Sequence, residues 1–524
     1  MEQAAGWQDE TRHSSTTFFV RPSASSPSDK STGFSRNLWW LLPPLLMSML
    51  AINGSSFWID ECVTSAFVTQ PTLAGWWHDL HATAYAEAQM PLYLFYLWGW
   101  DKLCGHSEWS LRLAALPWFV PGVAVFLYCL RRVGRRGGPA ILLVTGSSAF
   151  LWYYLNEARL YTVQAGVSCL IFAALAALHQ GQSLPQKSSQ PWFITLMAGI
   201  LLLSAISIIG MIWTSAAIVA AWGLFPAATL KAWVWQQRKL CVANAGLLGI
   251  LGSYYLWTVL RGARATTVGT TDWQTAGFVL YEQLGFTGLG PGRAELREQG
   301  VRSLVPYWPL LCLYALAVGT VLLAGLKAVW KSPFRRQALW VVAGVGMPVV
   351  FLLTTGMLRH FRVLGRHLAP LMPVWLCLLS LGVVWLWQRG PAGRTMVLLF
   401  FGLSLASAFE IRWASRHVKD DYRSAVAFSR AALNAGRLVW WNASTEAASY
   451  YGLPLTVDPK QTGKAMQIFN PTASALAQLP LPDFVVITKR DVYDHDLAVM
   501  NFLTQSGYQP KTNFAAFVIW SPNR

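Results

Sequence analysis

The chain has 524 residues, of which 54% are hydrophobic and 12% charged, with 28 Trp and a formal net charge of +17. Soluble proteins carry about twice that share of charge, so a soluble globular chain, a disordered chain, a collagen-like repeat and a coiled coil are excluded. What remains is a polytopic membrane protein with interfacial Trp, whose excess Lys and Arg face anionic lipid rather than nucleic acid.

Residues 1–36 are rich in Ser and Thr and too long and polar for a signal-peptide n-region, so they read as a disordered cytoplasmic N-terminus. Over 37–411, runs near the ~20 apolar residues a bilayer needs predict eleven membrane helices. They are Asn37–Ile52, Leu111–Leu130, Pro139–Leu155, Leu160–Leu178, Trp192–Ile209, Met211–Leu230, Leu240–Leu260, Tyr307–Leu326, Ala338–Leu358, Leu368–Trp387 and Thr395–Ile411. Met90–Cys104 (MPLYLFYLWGWDKLC) is shorter and holds Asp101 and Lys102. A crossing there would turn Arg131, Arg132, Arg135 and Arg136 outward, so it is placed in the interface as an amphipathic helix.

With the N-terminus inside, five short inner loops carry 14 Lys/Arg, and none of the twelve Asp/Glu of residues 37–411 lies in them. Carboxylate chemistry in this region therefore faces outward, where the large loops 53–110 and 261–306 and the tail 412–524 also lie. The tail predicts a small α/β domain, with helices over Tyr422–Ala435 and Asp494–Gln505 and strands over Leu438–Trp441, Phe484–Thr488 and Phe514–Trp520. Among the seven Cys no zinc or redox spacing appears. Cys62 and Cys104 share one outer loop, and spacing leaves a bridge between them open.

Three charged constellations stand out. Asp60 and Glu61, in the motif WIDE after the first span, are either a general base with its partner or a solvated loop start. Glu157 and Arg159, in NEARLY, either mark a polar cavity or neutralise each other. Arg359, Arg362 and Arg366, with His360 and His367, break the positive-inside trend, and Arg112 joins them at the head of the second span. Arg suits multidentate phosphate recognition, so these residues read as a phosphate site or as a contact with anionic headgroups. The loop 261–306 adds Arg261, Arg264, Arg293, Arg297 and Arg302. Its Gly-rich part, Gly285–Gly292, does not join a strand to a helix as a nucleotide loop does and reads as a flexible loop or lid. Asn53 and Asn442 begin glycosylation sequons.

The order WIDE, MPLYLFYLW, SEWSLRLAALP and YYLNEARLY resembles the GT-C glycosyltransferases of the protein O-mannosyltransferase and aminoarabinose transferase type. The resemblance covers about residues 37–180 and is looser at GRHLAPLMPVW and in the tail. It implies a GT-C-like fold over 37–411, a soluble extracytoplasmic domain over 412–524, and an enzyme of a bacterial inner membrane. The implied donor is a polyprenyl-phosphate sugar, and the implied acceptor is a glycan, lipid or protein. By position, Asp60 is the implied base, Glu61 its acidic companion and Glu157 the second acid. Arg112, Arg159, Arg366 and His367 are the implied holders of the donor phosphate, Arg359 of the outward Arg cluster is expected to join them, and Tyr161, the implied aromatic, and Tyr93 are the expected substrate contacts. His367 departs from the family's Arg-Tyr, and Met90-Pro91 from its His-Pro-Pro, which points to His78 or His81 as a substitute. No cofactor is required. A divalent metal is compatible with Asp60 and Glu157, but no ligand spacing demands one. A flippase of lipid-linked saccharides, a polysaccharide polymerase or ligase, and a non-catalytic scaffold are the alternatives.

Overall fold

The computed structural model describes residues 38–82, 86–131, 137–181, 186–262 and 270–523, without the side chains of 186–188. The expected disorder of 1–36 and the basic side chains of Arg132, Arg135, Arg136, Lys187 and Arg264 lie outside these residues. All eleven predicted apolar runs form helix. Among the described residues eight helices are long and apolar enough to cross a membrane, or ten if each of two bent pairs is one span. The first run is the shorter apolar helix Trp39–Ala51. The protein is a multi-pass helical membrane protein.

The differences from expectation fall at breaks. The run 139–155 bends by 50° between Gly137–Gly146 and Ala149–Leu155, where Ser148 leaves the helix and its Oγ caps a new one at Leu151. The run 211–230 ends earlier. Phe225 is extended because it precedes Pro226, and Ala227–Gln236 turns away by 120°. Between the fifth and sixth runs the break falls at Ser207, whose Oγ accepts the Gly210 N–H at 3.1 Å. The interfacial expectation for 90–104 gives the 14-residue helix Pro91–Cys104, too short to span. One face buries Tyr93, Leu94 and Leu97, while Leu92, Phe95 and Leu103 stay exposed. Its buried Asp101 is held by Lys102 at 2.8 Å and His106 at 3.0 Å.

The helix Tyr161–Gln180 is the most buried of the candidate spans. It approaches Leu116–Leu130 closely: a Cβ on Gly122 would lie 2.1 Å from the Gly166 carbonyl oxygen, the close contact that small residues permit between membrane helices.

The C-terminal domain is a six-stranded sheet of order β2-β3-β1-β4-β6-β5. Its strands are β1 (Val439–Asn442), β2 (Leu455–Thr456), β3 (Ala465–Gln467), β4 (Phe484–Ile487), β5 (Tyr508–Phe514) and β6 (Phe517–Pro522). The first four are parallel, and β6 runs antiparallel to both β4 and β5. The expected strand 514–520 is thus split by a hairpin turn, in which Ala516 takes φ 65°. The expected helix after Asp420 is Tyr422–Asn434, capped by Asp421 and followed by Gly436 at φ 72°. The helix over 494–505 begins only at Ala498, and Asp494 caps it by accepting the N–H groups of Val499 and Met500. The helix Thr445–Tyr450 packs on Ile59–Val68, which seats the domain on the membrane helices.

The structure decides three points that the sequence leaves open. Cys62 and Cys104 are both free, and buried Cys62 faces the Phe57 carbonyl. Residues 285–292 are no lid, because the segment is buried against the last span. The Gly288 N–H donates to Ser407 Oγ, and the Gly288 and Gly290 carbonyls accept from Arg416. Asn442 is fully buried in β1 and donates to the Ile468 and Tyr493 carbonyls, which closes its sequon to modification.

Candidate active site

Asp60 and Glu61 open the helix Ile59–Val68. Successive helical residues point about 100° apart, and the two carboxylates accordingly meet different partners. Glu61 turns into the protein. Its Oε1 accepts from Arg112 Nε at 2.9 Å and from the Ala158 N–H at 2.8 Å, and its Oε2 accepts from Arg112 Nη2 at 2.9 Å. Arg112 Nη1 donates to the carbonyls of Asn53 at 2.7 Å and Ser55 at 2.9 Å, and Nη2 also reaches that of Ser56. All three guanidinium nitrogens are occupied, and both side chains are fully buried. Arg112 therefore has no donor left for a phosphate and Glu61 is closed to substrate, which corrects both expected roles.

Asp60 turns instead into a partly open cluster of cations, the Asp60 pocket. Its Oδ2 lies 2.8 Å from Arg366 Nη1, and the carboxylate remains 25% exposed. Burial pushes its pKa upward, but Arg366, Arg159 and Lys489 together hold it below the ordinary carboxylate value. The Arg366 guanidinium lies 5.4 Å from the Trp58 ring and 5.3 Å from the Tyr161 ring, and its Nε is buried without a hydrogen-bond partner. The same Trp58 ring carries Arg293 at 5.5 Å and Lys489 at 5.6 Å. One indole therefore serves three cations.

His367, beside Arg366, is buried. Its Nδ1 accepts the Leu364 N–H at 3.2 Å, which fixes the turn. Arg359 does not join this group. It is exposed at the end of the helix Arg335–Arg359, where His360 turns the chain at φ 55°, and it makes no ion pair among the described residues. The six residues between the two arginines include an irregular stretch that carries Arg366 inward and leaves Arg359 outside.

Glu157 and Arg159 do not neutralise each other. Arg159 Nη1 binds Thr64 Oγ1 at 2.6 Å, the Asp60 carbonyl at 3.2 Å and Glu87 Oε1 at 3.3 Å. Glu157 is fully buried with no hydrogen bond to either oxygen. Lys419 Nζ lies 3.8 Å and Arg293 Nη1 3.9 Å from its Oε1. Burial raises the Glu157 pKa, and these two cations offset the rise only in part. Arg293 also meets Glu282 Oε1 and the Tyr154 hydroxyl, each at 3.3 Å. Tyr93 is buried, with burial raising its hydroxyl above the ordinary range and Arg159 opposing the rise.

Glu87, Glu282, Lys419 and Lys489 escaped sequence reasoning. The two lysines sit in a polar tail where surface Lys is ordinary, and only their burial sets them apart. His78 and His81 do not touch the pocket. His78 pairs with exposed Asp79, and His81 meets the Tyr254 hydroxyl at 3.1 Å. Among the described residues no three His, Cys, Asp or Glu side chains group as a metal site, and Asp60 and Glu157 face cations instead.

Beside this pocket lies an apolar cavity of about 290 Å³ lined by Phe172, Leu175, Trp213, Val345, Pro370 and Val374, among others. Trp213 Nε1 donates to the His367 carbonyl at 3.0 Å, which ties the cavity wall to the Arg366 turn. The lining runs from Pro370 to Val384 along one helix, about 20 Å at the helical rise.

Fold and site together define a multi-pass membrane protein whose buried charged cluster is completed by Lys419 and Lys489 from its C-terminal part. No family model and no curated protein matches the sequence. Solved structures similar to the chain include ArnT from Cupriavidus metallidurans in the apo state, at 11% identity and TM-score 0.44, covering 93% of this chain and 98% of that one. The same protein bound to undecaprenyl phosphate follows at 12% identity and TM-score 0.41, with the same coverage. The arabinofuranosyltransferase AftD from Mycobacteria is similar at 12% identity and TM-score 0.43, covering 93% of this chain and 40% of that one.

Proposed function

We propose that this protein is a membrane glycosyltransferase that moves a sugar from a polyprenyl-phosphate donor to an acceptor. One observation carries the reading: the Asp60–Arg366 pair sits one helical turn from Pro370, where the apolar cavity begins. A phosphate seated on Arg366 would have its hydrocarbon tail beside a wall built for it, and its sugar beside a carboxylate. The unpartnered Arg366 Nε and the partly exposed Arg293 supply further donors.

In this mechanism the arriving phosphate competes with Asp60 for Arg366. Losing that ion pair makes Asp60 a better base. Asp60 takes the proton of an acceptor hydroxyl or amine, whose oxygen or nitrogen attacks the anomeric carbon from the face opposite the phosphate. The bond from that carbon to the phosphate oxygen breaks, the anomeric centre inverts, and polyprenyl phosphate leaves with its charge held by Arg366 and Arg293. Tyr161, whose ring lies 5.3 Å from the Arg366 guanidinium, and Tyr93 are the candidate contacts to the sugar. Arg159 orders Asp60 through its backbone carbonyl and Thr64. Glu157 is a protonatable reserve behind Arg293. The charge distribution favours a cytoplasmic N-terminus and a periplasmic pocket and C-terminal domain in a bacterial inner membrane. The acceptor is a glycan, a lipid or a protein, and no metal or cofactor enters a step.

The test is incubation of purified protein with a radiolabelled polyprenyl-phosphate sugar in vesicles. Transfer or slow hydrolysis supports the enzyme. Movement across the bilayer without cleavage would replace it with a flippase.

A further inference from the structure

In the C-terminal sheet, the chain leaving β1 runs to β2 on one side and the chain leaving β4 runs to β5 and β6 on the other. The parallel neighbours β1 and β4 therefore bracket a switch point, where open α/β sheets form a ligand crevice at their carboxyl ends. Here that end is turned onto the membrane helices. The helix after β1 packs on Ile59–Val68, and Lys489, two residues past β4, reaches the pocket.

Lys489 has two costly features. Its backbone is left-handed, at φ 40° and ψ 64°, which a side chain with Cβ rarely adopts. Its ammonium is also taken from water, with the side chain 8% exposed. Asp420 from the interdomain linker pairs with it, and its Nζ lies 5.6 Å from the Trp58 ring centroid. That ring also carries Arg366 and Arg293. A lysine of the soluble domain thus completes a cage of cations otherwise built from the membrane region.

We propose that Lys489 is a positioning residue of the Asp60 pocket: it fixes the Trp58 indole and keeps the pocket cationic for the anionic head of the donor lipid. This rests on the reading of the pocket as the seat of a lipid-linked phosphate. The charged and titratable groups facing Asp60 are Arg366, Arg159, Lys489 and His367.

The test uses the full-length protein with K489M and K489R. Native mass spectrometry reads retention of polyprenyl phosphate, and the pH profile of transfer reads Asp60. K489M should weaken retention about tenfold through the loss of one nearby cation and of the hold on Trp58, with K489R close to wild type. Removing a cation disfavours the carboxylate form, so the acid limb of the profile should move to higher pH in K489M. A purely structural lysine would leave that limb in place. If K489M folds poorly, K489M/D420N removes the pair without stranding a buried carboxylate; its retention is read in the same way, while its acid limb, with a cation and an anion both removed, should move less than in K489M. Equal retention with an unmoved acid limb overturns the role of Lys489 alone. Wild-type protein that retains no polyprenyl phosphate overturns the donor reading and this inference with it.

Discussion

Glu61 and Arg112 meet through two parallel hydrogen bonds of 2.9 Å, and neither side chain is exposed. The pair joins the start of the first loop to the helix Glu108–Leu113. Arg112 gathers the carbonyls of Asn53, Ser55 and Ser56 around itself, so the loop that delivers Trp58 and Asp60 is shaped by this contact.

Breaking the pair should therefore act on stability. Arg112→Ala strands a buried carboxylate and should cost about 3–5 kcal/mol, seen as a large drop in unfolding temperature in detergent. Replacing both partners by Leu and Met should recover much of that loss. A near-wild-type unfolding temperature for Arg112→Ala would return Arg112 to a surface or ligand role.

Asp60 and Arg366 should respond in the opposite manner. Asp60→Asn should abolish transfer while the unfolding temperature stays near wild type, because the carboxylate is partly exposed and not part of the buried staple. Arg366→Ala should weaken retention of polyprenyl phosphate. Arg359→Ala, on an exposed helix end, should leave retention unchanged. Turnover surviving in Asp60→Asn would remove Asp60 as base.

Glu157 gives a pH prediction. Burial raises its folded pKa above the ordinary Glu value, against Lys419 and Arg293. The folded chain therefore favours the protonated acid. That contribution is complete below the unfolded pKa of about 4.3 and is lost as pH rises through the raised folded value. Glu157→Gln, which cannot ionise, should flatten the fall of stability with pH across this window. Unfolding temperatures measured as a function of pH check this, and an unchanged slope would show that another group governs it.

Gly288 tests the packing of the 285–292 segment. A Cβ there would stand 1.9 Å from the Ser407 carbonyl oxygen, and backbone cannot yield as a flexible side chain can. Gly288→Ala should destabilise by about 1–3 kcal/mol, read as a lower unfolding temperature. A mobile lid would tolerate the change.

The membrane body was legible because its signal is local. Runs such as 240–260 and 338–358 are apolar on every side, and lipid demands that whether or not they touch a neighbour. The breaks were less legible. Ser207 starts a new helix through its own hydroxyl, which accepts the Gly210 N–H, while Gly210, between the two expected runs, sits inside that helix. In the tail, the helix after Asp420 announced itself by its cap and its terminal Gly, but β2 and β3 have two and three residues and no period to detect.

What the sequence alone determined was the class of protein and a short list of charged candidates, because charge is too scarce in an apolar chain to be scattered without cause. Partnership was decided only in three dimensions. Asp60 and Glu61 are neighbours in sequence, yet the rotation of about 100° between successive helical residues sends the first to Arg366 and the second to Arg112. Glu157 and Arg159 look like a pair, yet they serve Lys419 and Glu87. Lys419 and Lys489 are far from the WIDE motif in sequence and reach its pocket only because the C-terminal sheet docks there. A charge bears its type in the sequence, but its worth depends on burial and on the charges within a few ångströms, and only the folded chain sets those.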